Sequence, residues 1–277
     1  MRRCLDQGLR VFLLEWLPAA DETAGAGLDA YAGQSLAAAV DLVVLRTGGL
    51  QPFLMGHSLG GTLAALHAAI AGDRLSGLVL LGAPLCFAPG SSRFRDALVS
   101  IFPAAAADVP VMPGSLLSAI CASASPDIFV WSRVLDAALS AGNQEAMTLL
   151  TRVERWTLDE VALSGALVRE VFEQLYSDDG FCGGRLVLGG QRLAPERLEL
   201  PTLLVANKVD EIAPPSSARR FARAMPKGHC VVFEQPGEIG VGLQHLALLV
   251  GRDAHARLWP EIIAWLRGWS SAAAVVP

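Results

Sequence analysis

The stretch Pro52-Phe53-Leu54-Met55-Gly56-His57-Ser58-Leu59-Gly60-Gly61-Thr62 decides the fold. Residues 52–55 are apolar throughout, as in a strand covered on both faces. They run into a serine flanked by glycines, and an alanine-rich helical pattern follows over residues 62–71 and stops at Gly72. A G-x-S-x-G pentapeptide alone carries little weight. With a strand before it and a helix behind it, it reads as a nucleophile elbow. In such an elbow Gly56 and Gly60 are expected to lack a Cβ so that the turn and the helix start can approach, and Gly61 extends that clearance. The Ser58 hydroxyl then stands above the sheet as an acyl-transfer nucleophile. The backbone N–H of Leu59 is aimed at a developing oxyanion, and the helix N-terminus adds favourable partial charge.

Working outward, short β-type runs at residues 11–14, 78–81, 203–205 and 231–233 alternate with longer helical patterns. Residues 29–46 carry apolar side chains at helical spacing and end at Thr47-Gly48-Gly49. The last helix, around residues 257–269, presents Leu258, Ile262, Trp265 and Leu266 on one face. The rhythm predicts an α/β-hydrolase fold: a mostly parallel sheet with helices on both faces. Residues 85–200 break it, so they are read as an inserted cap between two parts of the core, 1–84 and 201–277. The sheet strands expected before residue 11 are missing from this reading, as is the loop that supplies a second oxyanion donor.

A serine hydroxyl needs a general base. His57 lies inside the elbow, where its side chain is expected to project away from Ser58. His67 lies along the following helix, His229 precedes a strand at the wrong edge of a parallel sheet, and His255 lies near the start of the last helix. His245, in the loop after the final strand, is the preferred base. Asp210 follows the preceding strand and is the preferred acid, with Glu211 as its neighbour and alternative. The order Ser58, Asp210, His245 is that of this fold.

The chain has 277 residues, 52% hydrophobic and 18% charged, with net charge −5, which excludes a disordered polymer. Its mean hydropathy of +0.42 suits an oily substrate or a lipid or polymer surface. Basic clusters of the kind that bind nucleic acid are lacking. Asp41, Asp73, Pro84 and His245 interrupt the longest apolar runs, and no secretory signal is legible at the N-terminus, so a cytoplasmic location is expected. The five cysteines, Cys4, Cys86, Cys121, Cys182 and Cys230, show no C-x-x-C pairing and read as buried reduced thiols, without a zinc site or disulfide framework.

Several strings in this order resemble the catalytic region of polyhydroxyalkanoate synthases, a polyester-making branch of the α/β-hydrolase superfamily. They are residues 11–18, ending in Trp16-Leu17-Pro18; Leu28-Asp29-Ala30-Tyr31; Asp210-Glu211-Ile212-Ala213-Pro214; and His245 with Val250-Gly251 and Leu258-Trp259-Pro260-Glu261-Ile262. The resemblance implies an acyl-CoA or ester substrate, a covalent acyl-enzyme, and transfer to a hydroxyl acceptor. It calls for no metal or other cofactor. The partners expected are that substrate, a polyester granule surface and a second copy of the chain in a homodimer. The family's box is G-x-C-x-G, so Ser58 is a departure that gives weight to hydrolysis or single acyl transfer. A carboxylesterase, a polyester depolymerase and a non-catalytic granule-associated homologue are the alternatives.

Overall fold

A computed structural model describes the backbone of residues 1–106 and 109–273 and the side chains of 1–102 and 109–269. Four parallel strands form the central sheet in the order β1 (Phe53–His57), β2 (Gly77–Leu81), β7 (Thr202–Asn207) and β8 (Cys230–Gln235). Strand alternation divides their apolar side chains between two layers. Leu78, Leu80, Leu204 and Ala206 face α2 (Leu36–Arg46), α3 (Leu59–Ala71) and α9 (Pro215–Ala224), where Val40, Leu63, Leu66 and Phe221 complete a buried cluster. Val79, Leu81, Leu203 and Val205 face the opposite way, onto Cys4 of α1 (Arg2–Asp6), Leu248 of α10 (Ala247–Val250) and Ile262 and Leu266 of α11 (Trp259–Ala273). Both faces of the sheet are therefore covered.

The expected elements at 29–46, 52–55, 78–81, 203–205, 231–233 and 257–269 all form, with small shifts at their ends. Asp29–Ser35 winds as a π-helix before α2, and α3 begins at Leu59 rather than Thr62. The strand expected at residues 11–14 does not form. Among the described residues no strand pairs with the free edge of β1, and residues 11–14 join no ladder. Phe12, Leu13 and Leu14 are exposed, while Trp16 packs on Tyr31 with ring centres 4.9 Å apart.

Between β2 and β7 the chain builds α4 (Arg93–Ala106), α5 (Gly114–Ala124), α6 (Ser132–Ser140), α7 (Gln144–Thr157) and α8 (Gly165–Glu170). Two small antiparallel pairs accompany them, β3 (Val111–Met112) with β4 (Leu163–Ser164) and β5 (Leu186–Leu188) with β6 (Gln191–Leu193). This stretch has an apolar cluster of its own, built on Phe94, Leu98, Phe102, Met112, Ile120, Val168 and Phe172. It is tied to the loop after β2 and to α9 by Asp179, whose carboxylate accepts the Phe87 N–H at 2.6 Å and pairs with Arg220 at 2.7 Å. A second tie corrects the reading of the cysteines: Cys86 and Cys182, with Cα atoms 5.2 Å apart, form a disulfide. Their separation of 96 residues left no local spacing signal. Among the described residues no single helix is long and apolar enough to cross a membrane.

Candidate active site

Ser58 is the N-cap of α3 and sits at φ 53°, ψ −130°, a backbone region that side-chain-bearing residues enter only under constraint. Its N–H donates to Leu81 O at 3.1 Å, and its carbonyl accepts from Gly61 and Thr62 N–H at 2.9 and 3.0 Å. The elbow is thus fixed from β2 on one side and by the first turn of α3 on the other. A Cβ on Gly56 would lie 2.4 Å from Gly60 O, and one on Gly61 would lie 2.6 Å from Ala83 Cβ. A Cβ on Gly60 would meet nothing within 4 Å, so the clearance expected there is supplied by Gly61 instead. Leu59 is the first residue of α3, where the helix leaves N–H groups without intrahelical partners.

The loops after β7 and β8 bring Asp210 and His245 together. His245 Nδ1 donates to Asp210 Oδ2 at 2.7 Å, and both side chains are buried. Asp210 Oδ1 accepts from Ile212 and Ala213 N–H at 2.9 and 3.1 Å, which turns the carboxylate so that its other oxygen meets the histidine. Glu211 is exposed. Gly82, at φ 51° at the end of β2, closes over the pair: a Cβ there would lie 3.5 Å from His245 Cε1 and 3.7 Å from Asp210 Oδ2. The sequence marks this glycine only as the first residue after an apolar run.

His245 Nε2 is buried and makes no hydrogen bond within the protein. His245 lines a cavity of about 280 Å³ together with Ser58, Leu59 and Thr62. The remaining wall is hydrocarbon and aromatic, including Phe87, Phe94, Phe102, Phe129, Phe172 and Leu243. Cys121 and Tyr176 supply its only other side-chain heteroatoms among the described residues. Burial pushes the Cys121 thiol up to about 11 and raises the Tyr176 phenol above its ordinary value, so neither adds charge at neutral pH. Such a wall accepts an uncharged, largely apolar group beside the serine and histidine.

His57 does not simply point away into packing. Its ring centre lies 4.8 Å from that of His245, and its Nε2 donates to the His245 carbonyl at 3.0 Å. Burial, with the neighbouring His245 second, lowers its pKa to about 4, so it is a neutral donor at physiological pH. Sequence reasoning missed this contact because it joins residues 188 apart. The other histidines lie elsewhere. His67 is buried in α3 with Nδ1 against Ala32 O at 2.8 Å, His229 immediately precedes β8, and His255 stacks on Trp259.

The four-stranded sheet, the strained serine at the end of β1 and the loops after β7 and β8 define the α/β-hydrolase fold. The family model described as alpha/beta hydrolase fold matches residues 1–105. Two solved structures share the fold. A monoacylglycerol lipase from Paleococcus ferrophilus has a TM-score of 0.53 at 19% identity, covering 88% of this chain and 77% of its own. An esterase from Thermogutta terrifontis has a TM-score of 0.51 at 17% identity, covering 92% and 75%.

Within that fold the chain is similar to poly(3-hydroxyalkanoate) polymerase subunits. It is 25% identical over 264 residues to the poly(3-hydroxyalkanoate) polymerase subunit PhaC of Haloferax mediterranei, covering 94% of this chain and 52% of that protein. To the PhaC of Haloarcula marismortui it is 23% identical over 275 residues, covering 96% and 55%. The chain spans about half the length of these two relatives.

Proposed function

We propose that this chain is a serine-nucleophile acyltransferase or hydrolase acting on hydroxyacyl thioesters or esters through a covalent acyl-enzyme. One observation carries the reading. Ser58, on a strained elbow, lines the same apolar cavity as His245, whose ring is held through Nδ1 by Asp210 and whose buried Nε2 has no partner within the protein. Ser58 Oγ attacks the acyl carbonyl carbon while His245 Nε2 takes its proton, and the Leu59 N–H, at the start of α3, faces the oxyanion. The C–S or C–O bond to the leaving group then breaks, and His245 returns the proton to the departing sulfur or oxygen. An acceptor hydroxyl, or water, repeats the steps in reverse to release the acyl group.

Residues 85–200 act in this reading as a cap whose aromatic core walls the acyl side of the cavity. The hydroxyacyl substrate class follows from the likeness to the PhaC proteins, as does a polyester surface as partner. A fluorophosphonate probe tests the nucleophile: it should label Ser58, and a folded protein left unlabelled would sink the proposal. Turnover of a 3-hydroxyacyl-CoA, followed for both free CoA and acyl product, then separates transfer to a hydroxyl from hydrolysis.

A further inference from the structure

The loop between β8 and His245 carries the histidine, and its two ends are anchored on the core. Gln244 Oε1 accepts the Glu238 N–H at 3.1 Å, Gln244 Nε2 donates to Glu238 O at 2.7 Å, and Asn207 Nδ2 donates to Gln244 O at 2.7 Å. Glu238 in turn accepts the N–H groups of Arg252 and Asp253 at 2.6 and 3.0 Å. The middle of the loop leans the other way, onto the helical pair α6–α7. A Cβ on Gly240 would lie 3.0 Å from Ala146 Cβ, and one on Gly242 would lie 3.0 Å from Glu154 Oε1 and 3.3 Å from Leu150 Cδ1.

At that contact a single buried side chain receives two backbone donors. Asp136, facing inward from α6, accepts the Gly240 N–H on Oδ1 at 2.6 Å and the Gly242 N–H on Oδ2 at 2.7 Å. Both glycines have positive φ, 85° and 72°, a conformation that other residues adopt only at a cost. Val241 between them is fully buried. Leu243, one residue beyond the clamp, already lines the cavity, and His245 follows two residues later.

We propose that Asp136 is a positioning residue: it holds the 240–242 turn from the inserted segment, and through that turn sets where His245 Nε2 stands in the cavity. The proposal rests on the reading of His245 as the base. Its chemistry is specific to a carboxylate. Two acceptor oxygens meet two N–H donors, whereas an amide of the same shape offers one oxygen and turns an NH₂ group toward the second N–H. The carboxylate is not part of the reacting groups, and its effect reaches them only through the loop. The coupling means that a displacement of α6 is also a displacement of the base.

The test is Asp136→Asn in the full chain, beside the unaltered protein and Arg155→Gln, an exposed position on α7 that leaves the clamp and the loop contacts in place. In the unaltered protein the Gly240 and Gly242 amides should exchange slowly with deuterated solvent. Exchange at the rate of an open loop would overturn the proposal without any variant. In Asp136→Asn the ¹⁵N and ¹H resonances of the His245 ring should shift or broaden. Ester turnover should fall by about tenfold or more in kcat, with KM little changed. Arg155→Gln should leave both readouts at the wild-type values. A folded Asp136→Asn with native His245 resonances and native kcat would refute the positioning role. Failure of the fluorophosphonate probe to label the unaltered protein would instead strike the reading of the site, and the ring resonances and amide exchange would still decide whether Asp136 holds the loop.

Discussion

Replacing Asp210 by asparagine changes one atom and should nearly abolish turnover, for a reason visible in its contacts. Oδ1 receives two N–H groups, from Ile212 and Ala213, so an asparagine keeps its carbonyl oxygen there and presents its NH₂ to His245 Nδ1. Nδ1 must then accept rather than donate, and the single ring proton moves to Nε2. The second ring nitrogen of His245, which lines the same cavity as Ser58, becomes a donor and cannot take the serine proton. In a serine triad this tautomer reversal lowers kcat by about 10⁴-fold. That corresponds to about 5 kcal/mol of transition-state stabilisation. The assay is p-nitrophenyl ester hydrolysis at neutral pH, with the folded fraction measured by circular dichroism and normalised by thermal melting. A well-folded Asp210→Asn with kcat within about tenfold of the unaltered protein would refute the assignment of Asp210 and the tautomer argument with it.

Four further outcomes follow from the same geometry. Gly60→Ala should leave stability unchanged or raise it by about 0.4–1 kcal/mol, because its Cβ meets open space in a helix; Gly56→Ala should destabilise strongly, and equal melting temperatures for the two would contradict the elbow geometry. His57 has a folded pKa of about 4 against 6.5 when unfolded, so the unfolded chain binds more protons between those values. Its contribution, about 3 kcal/mol at most, is present above pH 6.5 and is lost as pH falls toward 4. His57→Gln should therefore melt with a shallower pH dependence across that window, and an unchanged slope would show that the histidine is not held neutral. Cys121→Phe fills part of the cavity and should lower turnover of p-nitrophenyl octanoate relative to the acetate; an unchanged ratio would mean that the acyl chain lies elsewhere. In the unfolded, unreduced protein only Cys4, Cys121 and Cys230 should react with a thiol reagent, and breaking the Cys86–Cys182 link should cost up to about 4.7 kcal/mol; five reactive thiols before reduction would dismiss the bond.

Much of the core was legible because its signals are local. Continuous apolar runs marked β1, β2, β7 and β8, since strands covered on both faces cannot alternate with polar residues. Gly56 and Gly60 marked the elbow in the sequence; a Cβ at Gly56 does collide with its neighbours, whereas the second collision falls at Gly61. Residues 11–14 carried the same kind of signal and formed no strand, because strand formation also depends on whether the segment comes to lie beside a partner strand, which composition does not record. Gly60 illustrates the converse: it, and not Gly61, completes the G-x-S-x-G motif, yet the packing of Ala83 shows that Gly61 is the one sterically required.

By itself, the sequence determined the fold class and the candidate trio of Ser58, Asp210 and His245, because chain order along a parallel sheet brings the loops after successive strands to one edge. Tertiary structure decided what surrounds them. The His57 bond to the His245 carbonyl, the Asp136 clamp on residues 240 and 242, the Cys86–Cys182 link and the aromatic wall of the cavity all join residues about one hundred or more positions apart, or gather residues from several elements. Such contacts depend on how helices settle against one another, and a pattern read along one strand or one helix holds no record of the surface that will face it.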